Sequence, residues 1–149
     1  RTKTAEDNKS TFLLTNIMPQ TPDLNRGPWL GFEYYCEKLC KKENKRLFII
    51  TGPIFPLDKE CCHIDKYNTV ARPKSCFKIA VILEKNQNIN HIDAKTKVIA
   101  VIMPNESGIR KVNWEQYRTT VRAIEQETGY NFLSNLPQKL QDILENKID

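Results

Sequence analysis

The 149-residue sequence has little histidine, little glycine and no long hydrophobic run. Only two residues are His and five are Gly, while hydrophobic residues make up 40% of the chain. These proportions exclude a collagen-like or plainly disordered chain. No stretch approaches ~18 uninterrupted apolar residues, so the sequence predicts no transmembrane helix. We therefore expect a soluble globular protein, and the length fits a single domain over residues 1–149.

The sequence also lacks an initiator methionine, because its first residue is Arg1. We therefore expect the encoded protein to continue upstream of Arg1. A signal peptide would lie in that upstream part, so these residues give no indication about export.

Charge of one sign is only slightly in excess. Lys and Arg number 23 against 18 Asp and Glu, which leaves a net charge of +5. Such a surplus suits a polyanionic partner such as nucleic acid or an anionic membrane. It is equally common on ordinary solubilising surfaces, so charge alone does not identify a partner.

Five cysteines allow more than one interpretation. An odd number leaves at least one thiol free or paired outside the chain. A zinc site is conceivable from Cys36, Cys40, Cys61-Cys62 and His63, but adjacent cysteines fit one tetrahedral ion poorly. Cys36 and Cys76 stand in apolar patterns, which favours small core residues.

The hydrophobic pattern predicts an α+β fold, with a sheet packed against helices. Continuous apolar runs predict strands at 11–16, 47–51, 77–83 and 98–103, with 47–51 as a buried central strand. Helical spacing predicts helices from Pro28, from Asn113 to Gly129, and from about 135 onward. The last of these helices is predicted to bury an apolar stripe of Leu140, Ile143, Leu144 and Ile148. No helix is predicted between the last two strands, which favours an antiparallel or mixed sheet.

The segment 18–28 is rich in proline, and we expect no regular structure in it. It follows Asn16, contains Gln20, Asp23 and Asn25, and directly precedes the helix that carries Glu33. Amide and carboxylate oxygens are the ligands that Mg²⁺ and Ca²⁺ prefer. The same residue types are also common in turns and helix caps, so the composition alone leaves both interpretations open.

The run 15–39, TNIMPQTPDLNRGPWLGFEYYCEKL, resembles the metal-binding segment of the DNA/RNA non-specific endonucleases, the ββα-metal nucleases. The matched positions are Asn16, Pro19-Gln20, Asn25, Trp29 and Glu33. Further likeness to the cyanobacterial sugar-non-specific branch occurs at RTKTAEDN (1–8), VIAVIMPN (98–105) and TGYNFLSNLP (128–137). The resemblance therefore covers most of the chain.

The resemblance implies a central antiparallel sheet flanked by helices, in a ββα-metal fold that is incomplete at its N-terminus. It implies that Asn25 is the direct ligand of Mg²⁺ or Mn²⁺. Glu33 is then the catalytic carboxylate that orients metal-bound water, and Asn16 supports the active site. The implied activity is hydrolysis of DNA and RNA by chemistry on the phosphate. The implied location is secreted or periplasmic, and the implied partners are nucleic acids and a protein inhibitor, with no membrane.

The sequence departs from the family in two places. The family's general base is the His of an Asp-Arg-Gly-His motif, which we expect upstream of Arg1. His63 and His91 lack that context. Family members usually have Arg at the position of Glu37, so Lys38 or Arg26 is expected to bind the substrate phosphate instead.

These departures leave two alternatives to an active nuclease. One is a catalytically dead, nucleic-acid-binding remnant of the same fold, which the missing motif and Glu37 favour. The other is a secreted interaction module held by disulfides or zinc, which the cysteine cluster alone would suggest.

Overall fold

The computed structural model describes residues 4–13, 17–56, 63, 64, 66, 67 and 69–149. The helices are α1 (Ala5–Ser10), α2 (Pro22–Asn25), α3 (Pro28–Lys41), α4 (Val121–Thr128) and α5 (Gln138–Asn146). The strands are β1 (Lys45–Ile54), β2 (Ser75–Glu84), β3 (Lys97–Pro104) and β4 (Arg118–Thr119). Short 3-10 turns span Ile89–His91 and Trp114–Tyr117. Within these residues no helix is long and apolar enough to cross a membrane.

The four strands form one antiparallel sheet in the order β1-β2-β3-β4. Its centre is the β2–β3 pair, where Ala80 lies opposite Ile99. Strands β2 and β3 contain the predicted segments 77–83 and 98–103, so those two predictions are confirmed. The α+β class and the antiparallel arrangement are confirmed as well.

Strands β2 and β3 are buried on both faces of the sheet. Alternate side chains of a strand point to opposite faces, so a strand covered on both sides is a continuous apolar run. One face packs on α2, α3 and Trp114 through Cys76, Ala80, Ile82, Ile99, Val101 and Met103. The other face packs on α4 and α5 through Phe77, Ile79, Val81, Leu83, Val98 and Ala100. We call these the α3 face and the α4/α5 face.

The prediction of a buried central strand at 47–51 is wrong in its position. The residues do form a strand, β1, but it lies at the end of the strand order and pairs only with β2 among the described strands. Phe48, Ile49 and Ile50 keep 38%, 47% and 38% of their surface exposed. An apolar run predicts a strand but does not determine its place in the sheet.

The prediction of a buried strand at 11–16 is wrong for its first three residues, and the rest lies outside the described residues. Thr11 and Phe12 form a turn that ends α1, because their N–H groups donate to the carbonyls of Asn8 and Lys9. The Phe12 side chain is 70% exposed.

The proline-rich segment 18–28 contains regular structure after all, because α2 is a single turn of helix within it. The Thr21 hydroxyl accepts the Leu24 N–H at 3.2 Å, which caps the helix start. Pro22 occupies the first turn, where a backbone N–H has no intrahelical partner to lose.

The predicted helix from Asn113 to Gly129 is two elements on opposite faces of the sheet. Trp114 belongs to the α3 face, whereas Val121 and Ile124 belong to the α4/α5 face. The chain crosses between them through β4, and Thr120 then caps α4 by accepting the Ala123 N–H. The helix does end as predicted, at Gly129 with φ +72°.

The last predicted helix exists as α5, but its apolar stripe is only partly correct. Leu144 is fully buried, whereas Ile143 and Ile148 are 48% and 61% exposed. The buried side of α5 instead carries the polar residues Gln141 and Glu145. A hydrophobicity pattern does not detect a helix face that buries charge.

Candidate active site

The proline-rich segment is fixed to the connection that follows β3 by one buried side chain, Asn105, which is 3% exposed. Its Nδ2 donates to the carbonyls of Pro19 at 2.9 Å and Pro73 at 3.0 Å. Its Oδ1 accepts the Thr21 N–H at 2.7 Å. Asn105 therefore holds three backbone segments together at the start of α2.

A second set of contacts fixes the turn between α2 and α3. The Asp23 carboxylate accepts the Gly108 N–H at 2.7 Å. A Cβ atom at Gly27 would lie 2.3 Å from the Asp23 carbonyl oxygen and 2.7 Å from the Arg110 Cα. Glycine is required at position 27 because only a residue without a Cβ allows this close backbone approach.

Asn25 lies at the end of α2 with an exposed side chain. Its Nδ2 donates to Gln20 Oε1 at 2.9 Å, which orients the carboxamide. Its Oδ1 accepts no hydrogen bond from the described residues. A neutral oxygen of this kind fits a hard cation such as Mg²⁺, which keeps most of its waters and needs few protein ligands. Asn16, predicted to support the site, lies outside the described residues.

Glu33 lies on α3, where a lysine from the sheet meets it. Lys78 Nζ donates to Glu33 Oε1 at 2.8 Å. The Lys78 side chain is only 7% exposed, whereas that of Glu33 is 50% exposed. The same ammonium lies 4.0 Å from the centre of the Trp29 ring, which adds a cation–π contact.

Burial shapes the protonation chemistry around this pair. It lowers the pKa of Lys78, and the Glu33 carboxylate opposes that change. Burial also raises the pKa of the neighbouring Cys36 thiol to about 11. Cys36 is therefore protonated at neutral pH and acts as the small core residue that its sequence context predicts.

A cavity of about 560 Å³ lies between α3 and β1, and we call it the α3 groove. Glu33, Glu37 and Tyr34 line it from the helix, and Ile49 and Lys78 line it from the sheet. Lys41, one helical turn after Glu37, forms an ion pair with that carboxylate. The groove therefore combines an exposed carboxylate, two cations and an exposed aromatic ring.

The sequence of this chain is similar to those of known nucleases. The model of the family described as DNA/RNA non-specific endonuclease matches residues 1–139. This chain belongs to the DNA/RNA non-specific endonuclease family. The family prediction made from residues 15–39 is thereby confirmed.

Individual relatives agree with this assignment. A nuclease of Nostoc sp. is 43% identical over all of this chain and 52% of its own length. The mitochondrial nuclease of Saccharomyces cerevisiae is 30% identical over 85% of this chain and 41% of its own. The chain thus spans about half the length of these relatives.

A solved structure supports the fold. The structure of the EndoG/EndoGI complex, which concerns EndoG inhibition, matches with a TM-score of 0.67 at 24% identity. The match covers 88% of this chain and 54% of the other. It confirms the ββα-metal nuclease fold.

The two residues predicted to bind substrate lie on different elements, Arg26 at the end of α2 and Lys38 on α3. Arg26 is exposed and directly follows Asn25. Lys38 follows Glu33 by five positions on α3, which is about 140° around the helix. Its ammonium forms an ion pair with Glu43 at 3.4 Å. The structure therefore does not bring Lys38 to the same helix face as Glu33, and its role remains a prediction.

Neither histidine lines the α3 groove within the described residues. His63 pairs with Ala71 in an isolated bridge. The His91 ring hydrogen-bonds Asn88 at 2.9 Å and caps the 3-10 turn between β2 and β3. Over the described part of the chain, no group of three His, Cys, Asp or Glu side chains could hold a metal ion. Cys61 and Cys62 lie outside that part.

Lys78 is the site residue that the sequence predictions missed. Its signal was present, because it is the one charged residue in the predicted strand 77–83, FKIAVIL. A lone charge in a strand buried on both faces requires a partner. The sequence could not name that partner, because Glu33 lies 45 positions away.

Proposed function

We propose that this chain is the metal-binding part of a Mg²⁺-dependent endonuclease that hydrolyses phosphodiester bonds of DNA and RNA. The observation that supports the proposal is that Asn25, just before α3, keeps an open carboxamide oxygen, while Glu33 on α3 keeps a half-exposed carboxylate. Both are held by neighbours, Gln20 and Lys78 respectively. The family assignment supports the nuclease class, and residues 1–149 are then the C-terminal part of a single endonuclease domain.

In this proposal Asn25 holds the ion, for which Mn²⁺ is the alternative to Mg²⁺, and Asn16 supports the site. When bound, the ion neutralises charge that develops on the phosphate and the leaving oxygen. Glu33 accepts hydrogen bonds from water at the site and so orders it. Arg26 and Lys38 contribute positive charge toward the phosphate backbone. The products carry a 5′-phosphate and a 3′-hydroxyl, as the family resemblance implies.

The general base is not assigned to His63 or His91 in this proposal. A histidine from a part of the enzyme beyond these residues takes the proton from the attacking water. Substrate choice follows from contacts with phosphate rather than bases, which is why DNA and RNA both serve. A secreted or periplasmic location and a protein inhibitor remain part of the proposal, although the Saccharomyces cerevisiae relative is a mitochondrial nuclease.

The test is plasmid nicking by the full-length product of the reading frame that contains this chain. We expect nicking with Mg²⁺, none with EDTA, and a loss of at least ~100-fold in Asn25→Ala. Asn86→Ala is a matched control, because Asn86 is an exposed asparagine near the β2–β3 turn. Full activity of Asn25→Ala would disprove the metal role.

The second candidate is a catalytically dead remnant that still binds nucleic acid. Glu37 favours it, because a carboxylate stands where the family usually has Arg. The ion pair between Glu37 and Lys41 offsets that negative charge, so Glu37 does not by itself oppose phosphate binding. Binding of a labelled oligonucleotide without nicking under any divalent ion would favour the remnant.

A further inference from the structure

We infer that Lys78 is a positioning residue for the proposed nuclease reaction, which fixes the orientation of the Glu33 carboxylate. The inference rests on the function proposed for Glu33 but concerns a different residue. Strand β2 is buried from Ser75 to Leu83, and Lys78 is the charged residue within that stretch. Burial of an ammonium is unfavourable unless a partner compensates it.

The surroundings of Lys78 identify that partner. Its ammonium faces Glu33, the Trp29 ring and the thiols of Cys36 and Cys76. Burial raises the pKa of both thiols, so both are protonated at neutral pH. Among the described residues around Lys78, Glu33 is therefore the group that supplies negative charge.

The exposure of the pair is asymmetric, and this asymmetry separates positioning from simple stabilisation. The Lys78 side chain is 7% exposed, so it has little surface with which to contact a substrate directly. The Glu33 side chain is 50% exposed and can do so. An exposed glutamate on a helix ordinarily samples several rotamers, and ordering it has an entropic cost. The contact at Oε1 holds one carboxylate oxygen, so Oε2 is presented to solvent in one orientation. Trp29, one helical turn before Glu33, restricts the ammonium from a second direction.

The test compares Lys78→Met and Lys78→Arg in the full-length product of the reading frame. Methionine has a similar length and suits a buried site without a charge. Arginine keeps the charge and its contact with an aromatic ring. We expect Lys78→Met to lower kcat about 10- to 100-fold, as loss of an orienting partner does, with KM within about twofold. Lys78→Arg is expected to recover most of kcat.

A double variant separates positioning from a general structural role. If Lys78 acts through Glu33, Lys78→Met lowers kcat in the wild-type background but not in Glu33→Gln. A merely structural Lys78 would lower kcat by the same factor in both backgrounds. Lys45→Met is the matched control, because Lys45 pairs with Glu84 on the same sheet outside the site. We expect it to keep wild-type kcat.

A readout without metal or substrate completes the test. Three-bond NMR couplings that report χ1 of Glu33 are expected to show one rotamer in the wild type and Lys78→Arg, and averaging in Lys78→Met. Unchanged couplings together with unchanged kcat in Lys78→Met would overturn the inference. An inactive wild type, or an active Asn25→Ala, would instead overturn the proposed function, while the couplings would still decide the role of Lys78.

Discussion

Both faces of the sheet bury charged side chains, but the buried groups carry opposite charges. On the α3 face the buried group is the cation Lys78, and its anionic partner Glu33 reaches solvent. On the α4/α5 face the buried groups are the anions Glu125 and Glu145, which are 7% and 0% exposed. Their cationic partner there is Arg122, whose side chain is 37% exposed.

The cluster on the α4/α5 face joins its two helices. Arg122 of α4 donates to Glu125 Oε2 at 2.8 Å and lies 2.6 Å from Glu145 Oε2 of α5. Glu125 Oε1 also accepts the Phe132 N–H at 2.8 Å, which ties the segment after α4 to the cluster. Burial raises the pKa of Glu145, Glu125 raises it further, and Arg122 opposes both.

This difference in exposure indicates that the buried charges of the two faces have different roles, one in catalysis and one in stability. A carboxylate that keeps half its surface in water can meet a substrate or a hydrated ion, as Glu33 can. A carboxylate closed off from water, such as Glu145, can serve only the packing of the two helices. We therefore expect damage to the α4/α5 face to change the free energy of unfolding, and damage to the α3 face to change activity as well.

The largest expected effect is on the α4/α5 face. Arg122→Met leaves Glu145 buried without its cation and should lower the free energy of unfolding by about 3 kcal/mol. Urea unfolding at pH 7.5 measures the loss, with Arg46→Met as the exposed control. Nicking per folded molecule should not change. A large fall in kcat at full folding would contradict the separation of the two faces.

The next effect is on the α3 face. Asn105→Ala removes the three hydrogen bonds that join Pro19, Thr21 and Pro73, which should cost about 2 kcal/mol. Because the same contacts position α2 and Asn25, nicking per folded molecule should fall too. Asn113→Ala is the control, since the Asn113 side chain makes no cap hydrogen bond. Equal activity of Asn105→Ala and wild type would show that the segment keeps its position without this contact.

The pH dependence of the free energy of unfolding tests whether ionised Glu145 is unfavourable on the α4/α5 face. Because the folded protein raises the pKa of this acid, its ionisation opposes folding. The contribution of Glu145 to wild-type stability should therefore fall as pH rises from the ordinary Glu value of 4.5 through the raised value. Glu145→Gln has no such titration, so its stability relative to wild type should increase over that window. Parallel profiles of the two proteins would disprove the unfavourable ionisation.

The sequence predicted the parts of this fold that local patterns determine. Helix α3 begins at Pro28 as expected, because proline suits the first turn and apolar residues recur behind it. Strands β2 and β3 are unbroken apolar runs, and such runs are typical of strands covered on both faces.

The errors share a physical cause, which is that the deciding contacts are distant in sequence. The apolar pattern of β1 matches that of a central strand, and only the order of the described strands places it at the end of the sheet. Trp114 and Ile124 have helical spacing, yet they pack on opposite faces. For the site, the resemblance singled out Asn25 and Glu33, while the Lys78 contact became visible only in the folded chain.

The smallest effect should come from an ion pair with neither partner buried. Lys74 and Glu127 lie 2.7 Å apart, with side chains 42% and 45% exposed. Their attraction is screened by water, and holding both side chains costs conformational entropy, so such pairs contribute little. Glu127→Gln should change the free energy of unfolding by less than about 0.5 kcal/mol in urea at both low and high salt. A loss approaching that of Arg122→Met would mean that geometry, rather than burial, determines which ion pairs matter in this fold.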